Sequence, residues 1–152
     1  MERVSAKRSA GMRGVVCRWW LLQLILWWRQ TATASVYRVG GGAGWTNYVL
    51  RTNQLPDYTA WASSNQPFYV DDQFLFQYVP YFHSVHQFQN QSDFEHCDFS
   101  HATQLDDGHS GSFMWQAPEI GTFYLGCKTV VEGFGSHCKD GQKVAITVQK
   151  RV

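Results

Sequence analysis

The chain predicts an all-β fold, a sandwich or barrel, and three observations carry that prediction. Short segments of alternating apolar residues recur through residues 35–152, and Gly or Pro punctuates them. Helical periodicity is scarce. Once the N-terminal stretch is set aside, 118 residues remain (35–152), enough for one domain with a real core.

The N-terminal stretch has its own character. Arg3, Lys7, Arg8, Arg13 and Arg18 lead into an apolar run from Trp19 to Trp28, broken only by Gln23. Arg29-Gln30 and the small-residue stretch Thr31-Ala32-Thr33-Ala34 follow. This order reads as a secretory signal peptide over residues 1–34, cleaved after Ala34. The apolar run is shorter than the roughly 20 residues a membrane span needs. Either Met1 or Met12 is compatible with the start of such a leader.

Removal of the leader changes the charge. Six of the thirteen Lys+Arg and one of the twelve Asp+Glu precede residue 35, leaving seven against eleven, a net of about −4. No basic patch remains, which argues against nucleic acid as a partner. The end, Gln149-Lys150-Arg151-Val152, carries no apolar tail for a lipid anchor. The expectation is therefore a secreted, extracellular monomer without a stable membrane anchor.

Taken in order, Val36 to Val39 reads as an opening strand ended by Gly40-Gly41-Gly42. Gly40 to Gly44 lacks the Lys-Ser/Thr of a phosphate loop and reads as a turn. Tyr48 to Arg51 is a second candidate strand. Asp57 to Ala62 forms a short helical turn with Asp57 as its cap; one or two short helices are expected in all. Gln73 to Val79 places Phe74, Phe76 and Tyr78 on one face, and Pro80 ends it. His83 to Gln89 follows as a strand. Ser112 to Gln116 and Thr122 to Cys127 are two more, separated by Pro118 and Gly121. Lys143 to Gln149 closes the chain with Val144, Ile146 and Val148 on one side. Asn90-Gln91-Ser92 is an N-glycosylation sequon, with Asn90 as acceptor.

Cys17 leaves with the leader, so Cys97, Cys127 and Cys138 remain, an odd number for an exported chain. A free thiol, an intermolecular bridge, or one disulfide plus one metal-bound thiolate all satisfy that parity. The third option has candidate partners. Cys127 offers a soft thiolate, His83 and His137 two imidazoles, and Gln142 a weak axial amide oxygen. Two His, one Cys and a weak axial donor form the ligand set of a blue-copper electron-transfer site. Such a set leaves no open coordination position for a substrate, which argues for a carrier rather than an enzyme. His86, three positions from His83, falls on the opposite strand face and reads as structural or exposed. His96, His101 and His109 fall in loops. A zinc-bound His2Cys site with a water ligand is the weaker metal reading, because no general base stands beside it.

These residues resemble the phytocyanins, secreted plant blue-copper proteins with a plastocyanin/cupredoxin-like Greek-key β-sandwich. Tyr37-Arg38-Val39-Gly40 and Ala43-Gly44-Trp45 resemble the family's opening Y-x-V-G…GW. Tyr58 and Trp61 continue the likeness, and Asp71 to Phe76 is similar to V-G-D-x-L-x-F, with Asp71 where the family has Gly. His83-Ser84-Val85 resembles H-N-V, Gly121 to Cys127 resembles G-x-x-Y-F-x-C, and His137 to Lys143 resembles H-C-x-x-G-Q-K. The resemblance implies copper as cofactor, held by His83, Cys127 and His137, with Gln142 as a stellacyanin-like axial ligand. It also implies a Cys97–Cys138 disulfide, which would pin the loop bearing His137. Nine residues separate Cys127 from His137, about twice the family's usual number. The implied function is electron transfer with a small redox molecule or an extracellular redox protein; the apolar residues Phe82 and Phe134, near the two histidines in sequence, are the candidate docking surface. A copper-free extracellular interaction module on the same fold is the alternative.

Overall fold

The computed structural model describes residues 33–48, 55–133 and 135–151. Most of the leader, with Met12 and Cys17, lies outside the described residues, as do Phe134 and residues 49–51 of the second candidate strand. Among the described residues no helix is long and apolar enough to cross a membrane.

The elements run β1 (Val36–Arg38), α1 (Tyr58–Asn65), β2 (Phe68–Tyr69), β3 (Gln73–Gln77) and β4 (Val85–Phe88). Then follow α2 (Gln91–His96), β5 (Thr103–Asp106), β6 (Ser112–Gln116), β7 (Gly121–Gly126), β8 (Val130–Val131), β9 (Gly135–Ser136) and β10 (Lys143–Gln149). One sheet has the order β1-β3-β6 and a second β2-β10-β7-β4-β5. Strands β1 and β3 are parallel, as are β2 and β10; the remaining pairs are antiparallel. The short β8–β9 hairpin forms a sheet of its own.

The core is what the alternation in β3 and β10 dictates. Phe74 and Phe76 from the first sheet, and Leu125, Val144, Ile146 and Val148 from the second, are buried in one cluster with Trp45, Tyr58, Phe68 and Trp115. Registers Phe74↔Trp115 and Val144↔Leu125 put apolar side chains on the same inner faces. The aromatic members meet edge to face: Trp45 lies 5.0 Å from Phe76 and Phe68 5.1 Å from Phe74, centroid to centroid. The two larger sheets thus enclose one core as a β-sandwich, one of the two architectures the strand pattern predicts.

Helix α1 starts where expected, with the Asp57 side chain accepting the Ala60 N–H at 2.8 Å, and runs three residues longer than predicted. Strands β2 and β5, helix α2 and the β8–β9 hairpin were not legible from periodicity. Helix α2 buries none of its residues, so no apolar stripe announces it. Its ends hold it instead. The Asn90 side chain caps Asp93 N–H at 2.9 Å, and Lys143 Nζ donates to the Phe94 and Glu95 carbonyls at 2.9 Å each.

Candidate metal centre

Four loop or strand ends meet at one end of the sandwich. His83 sits just before β4 rather than within the strand predicted to hold it, Cys127 directly after β7, His137 directly after β9 and Gln142 directly before β10. Backbone pairing locks these positions together. Cys127 N–H donates to the Gln142 carbonyl at 3.0 Å, Gln142 N–H to the His137 carbonyl at 2.9 Å, and His137 N–H to the Thr129 carbonyl at 3.1 Å. The site is thus fixed by the ends of neighbouring sheet strands, which are stiffer than free loops.

The ligand atoms of His83, Cys127 and His137 lie within 4.8 Å of one another, and all three residues are buried. His83 Nδ1 and His137 Nδ1 face each other at 3.2 Å, and Cys127 Sγ stands 3.7 Å from His137 Nδ1. At 3.2 Å one imidazole nitrogen donates a proton and the other accepts it, so the two rings are not both protonated. Burial is the main cause that pushes the His83 pKa down to about 4, with the nearby His137 adding to it. Burial also lowers the His137 pKa, against an opposing pull from Asp140. Neutral imidazoles are the form that binds a metal.

The Gln142 side chain is fully buried, and neither its Oε1 nor its Nε2 finds a hydrogen-bond partner of acceptable geometry, although the amide lies near enough to both imidazoles to favour their protonation. A buried amide left this way is costly and needs a reason. An electron-poor centre between His83, Cys127 and His137 would supply it, because the amide oxygen is a weak axial donor. The donor set and the orphaned amide both fit a copper ion of the blue type.

The long Cys127–His137 connection does not scatter the ligands. Its extra residues fold into the β8–β9 hairpin, with register Val130↔Ser136, so the chain leaves Cys127 and returns to His137 as antiparallel neighbours. The thiol sulfur keeps partners on both sides. Ser84 N–H donates to it at 3.4 Å, and it lies 3.4 Å from Thr129 Oγ1. The Ser84 contact comes from the His83 loop and is independent of the hairpin.

Residues that periodicity passed over hold the His83 loop. Trp45 Nε1 donates to the Ser84 carbonyl at 3.0 Å. Asp106 Oδ2 accepts the Gly108 N–H at 2.9 Å and also takes a short hydrogen bond from the Tyr78 hydroxyl. Gly108, at φ +90, brings its backbone against His83: a Cβ there would stand 1.7 Å from the His83 carbonyl oxygen. Ser84 was visible in the sequence as the neighbour of His83, whereas nothing local marks Gly108.

The remaining predicted residues fall where their chemistry allows. Cys97 and Cys138 are disulfide-bonded, with Cα atoms 6.0 Å apart, and Cys127 is the free thiol among the described cysteines. His86 is on the outer face of its sheet, opposite the core, and is buried there against Phe99. It is structural rather than exposed, because the segment around Phe94 and Phe99 covers that face. On the same face Gly126 leaves room for Phe88, whose ring would lie 2.6 Å from a Cβ. His96, His101 and His109 are exposed and outside the cluster, His96 closing α2 rather than sitting in a loop. Asn90 is exposed and caps α2.

Known proteins resemble this chain in sequence and fold. The family described as plastocyanin-like domain matches residues 45–142. Stellacyanin of Toxicodendron vernicifluum is 30% identical over 122 residues, covering 77% of this chain and 99% of that protein. Cucumber peeling cupredoxin of Cucumis sativus is 28% identical over 116 residues, covering 76% of each chain. In structure, cucumber stellacyanin with Cu2+ superimposes at TM-score 0.63 with 26% identity, over 79% of this chain and 99% of that one. Cucumber basic protein, a blue copper protein, superimposes at 0.55 with 30% identity, over 75% of this chain and 99% of that one. With sandwich, ligand cluster and relatives in agreement, the chain belongs to the phytocyanins, the plastocyanin-like blue-copper family.

Proposed function

We propose that this protein is a secreted, monomeric type 1 copper protein that carries single electrons, with residues 35–152 as its mature domain. The observation that carries the reading is the convergence of His83 Nδ1, His137 Nδ1 and Cys127 Sγ within 4.8 Å in a buried pocket. His83, Cys127 and His137 would hold copper, and the Gln142 amide would add a further, weaker oxygen donor. Bound copper supplies a one-electron couple, and the protein's part is to keep one geometry for both oxidation states. The strand-end pairing does this by leaving the ligands little freedom to move.

The two imidazoles are each only 6% exposed, so electrons enter and leave through a ring edge. Tyr81 and Phe82, 76% and 60% exposed, stand beside His83 and offer an apolar contact for a small redox molecule or an extracellular redox protein. The same pocket leaves no open position for catalysis on a bound substrate, which favours a carrier over an enzyme. A copper-free interaction module would be favoured by histidines too far apart to share an ion; at 3.2 Å they are not.

The test is to add Cu(II) to the purified protein and record its visible spectrum. An intense thiolate-to-copper band is expected. Cys127→Ser abolishes it, and His96→Ala leaves it intact. A colourless protein that holds copper elsewhere would sink the proposal.

A further inference from the structure

Asp72 occupies an unusual position for a charge. Its side chain is fully buried at the turn between β2 and β3. One oxygen, Oδ2, accepts the Tyr69 N–H at 2.8 Å. The other, Oδ1, takes two donors: Arg151 Nη2 at 2.7 Å and the backbone nitrogen of Ser35 at 2.8 Å. Ser35 is held there by more than that contact, since its carbonyl accepts the Gln73 N–H at 2.8 Å and opens the β1–β3 pairing.

The charges at this place do not balance. Arg151 also reaches Asp71, at 3.1 Å, and its guanidinium lies 4.1 Å from the centre of the Tyr69 ring. Two carboxylates thus share one guanidinium, leaving one negative charge, and the second donor to Asp72 Oδ1 is a neutral peptide N–H as long as the chain continues upstream. A buried carboxylate needs a charge partner more than a neutral one. Just upstream, Thr33 and Ala34 are exposed, with small residues at Ala32 and Ala34, and the compact unit itself begins at Ala34.

We propose that Asp72 is a receptor for the new N-terminus made when a leader peptidase cuts the Ala34–Ser35 bond. The cut adds one water across that bond: Ala34 departs with the carboxylate, and the nitrogen of Ser35 takes up protons to become an α-ammonium. The nitrogen already stands 2.8 Å from Asp72 Oδ1, so the positive charge is born inside an ion pair with little rearrangement. Processing would then balance the Asp71–Asp72–Arg151 cluster and fasten β1, the chain end and the β2–β3 turn together. This inference is independent of copper.

The experiment expresses the full chain in a secreting eukaryotic host and reads the N-terminal residue of the secreted protein by mass spectrometry. Ser35 is expected. The α-amine is then labelled with a limiting acylating reagent across pH, next to the free peptide Ser-Val-Tyr-Arg. An ammonium held by a carboxylate gives up its proton at higher pH than the ordinary value of about 8. At pH 7.5 the protein's amine should therefore react about tenfold more slowly than the peptide's, which is roughly a one-unit displacement. The gap should close near pH 10.5, and Asp72→Asn should abolish it at pH 7.5. The comparison with the peptide needs no variant to fold. A secreted chain starting elsewhere, equal reactivity at pH 7.5, or a lag that persists at pH 10.5 (simple steric shielding) each overturn the proposal.

Discussion

Replacement of Gln142 by Leu separates a ligand from a filler. The side chain is fully buried, and both of its polar atoms lack partners in the metal-free fold. Each such atom costs roughly 1–3 kcal/mol in desolvation that nothing returns. A leucine of similar volume removes both atoms at a packing cost below about 1.5 kcal/mol. The backbone bonds of residue 142, to Cys127 and His137, do not involve the side chain and survive. The metal-free Gln142→Leu protein should thus be more stable than the parent by about 0.5–4.5 kcal/mol, which raises Tm by a few degrees or more for a domain of this size. Copper should erase or reverse that advantage, because only the amide has an oxygen to offer. Urea unfolding with chelator present, repeated with Cu(II) in excess, measures both arms. If the leucine variant is less stable than the parent without metal, the amide is satisfied in the fold and the argument for an axial role fails.

Three further outcomes follow from the geometry. The metal-free protein should lose stability as pH falls from about 6.5 toward 4, because His83 and His137 are neutral in the fold and the unfolded chain binds more protons in that window; denaturant midpoints at pH 7 and pH 4.5 check it, and equal midpoints refute it. Gly108→Ala should cost more than about 2 kcal/mol or displace His83 with loss of the copper band, because its φ of +90 and the 1.7 Å approach to the His83 carbonyl leave no place for a methyl. Replacing Cys97 and Cys138 together by Ser should destabilise by about 4 kcal/mol, the chain-entropy value for a separation of 41 residues, as read from thermal unfolding.

Much of the site was legible because its residue types are chemically particular. A Cys, two His and a Gln are rare companions, and three of them stand next to recognisable punctuation: Cys127 after an apolar strand, His137 beside a second cysteine, Gln142 before the last strand. The strands with strict alternation, Gln73 to Gln77 and Lys143 to Gln149, were legible for the same local reason. Helix α2 was not, because capping by Asn90 and the reach of Lys143 across 49 positions make it, rather than an apolar stripe.

The sequence by itself determined the all-β fold class and named His83, Cys127, His137 and Gln142 as candidate ligands, through periodicity and the chemistry of single side chains. It left the division of the three cysteines open; the Cys97–Cys138 pair was what the family resemblance implied, and the fold closed it. Only the tertiary structure decided whether the ligands meet. The Cys127–His137 connection is long, and its length alone leaves the imidazole anywhere within reach of a flexible loop. Pairing of β8 with β9 removes that freedom and returns His137 Nδ1 to 3.7 Å from the sulfur. The tertiary structure likewise decided the contacts of Gly108 with His83 and of Asp72 with Ser35. Each joins residues more than twenty positions apart through a backbone group, and a backbone group leaves no trace in residue type.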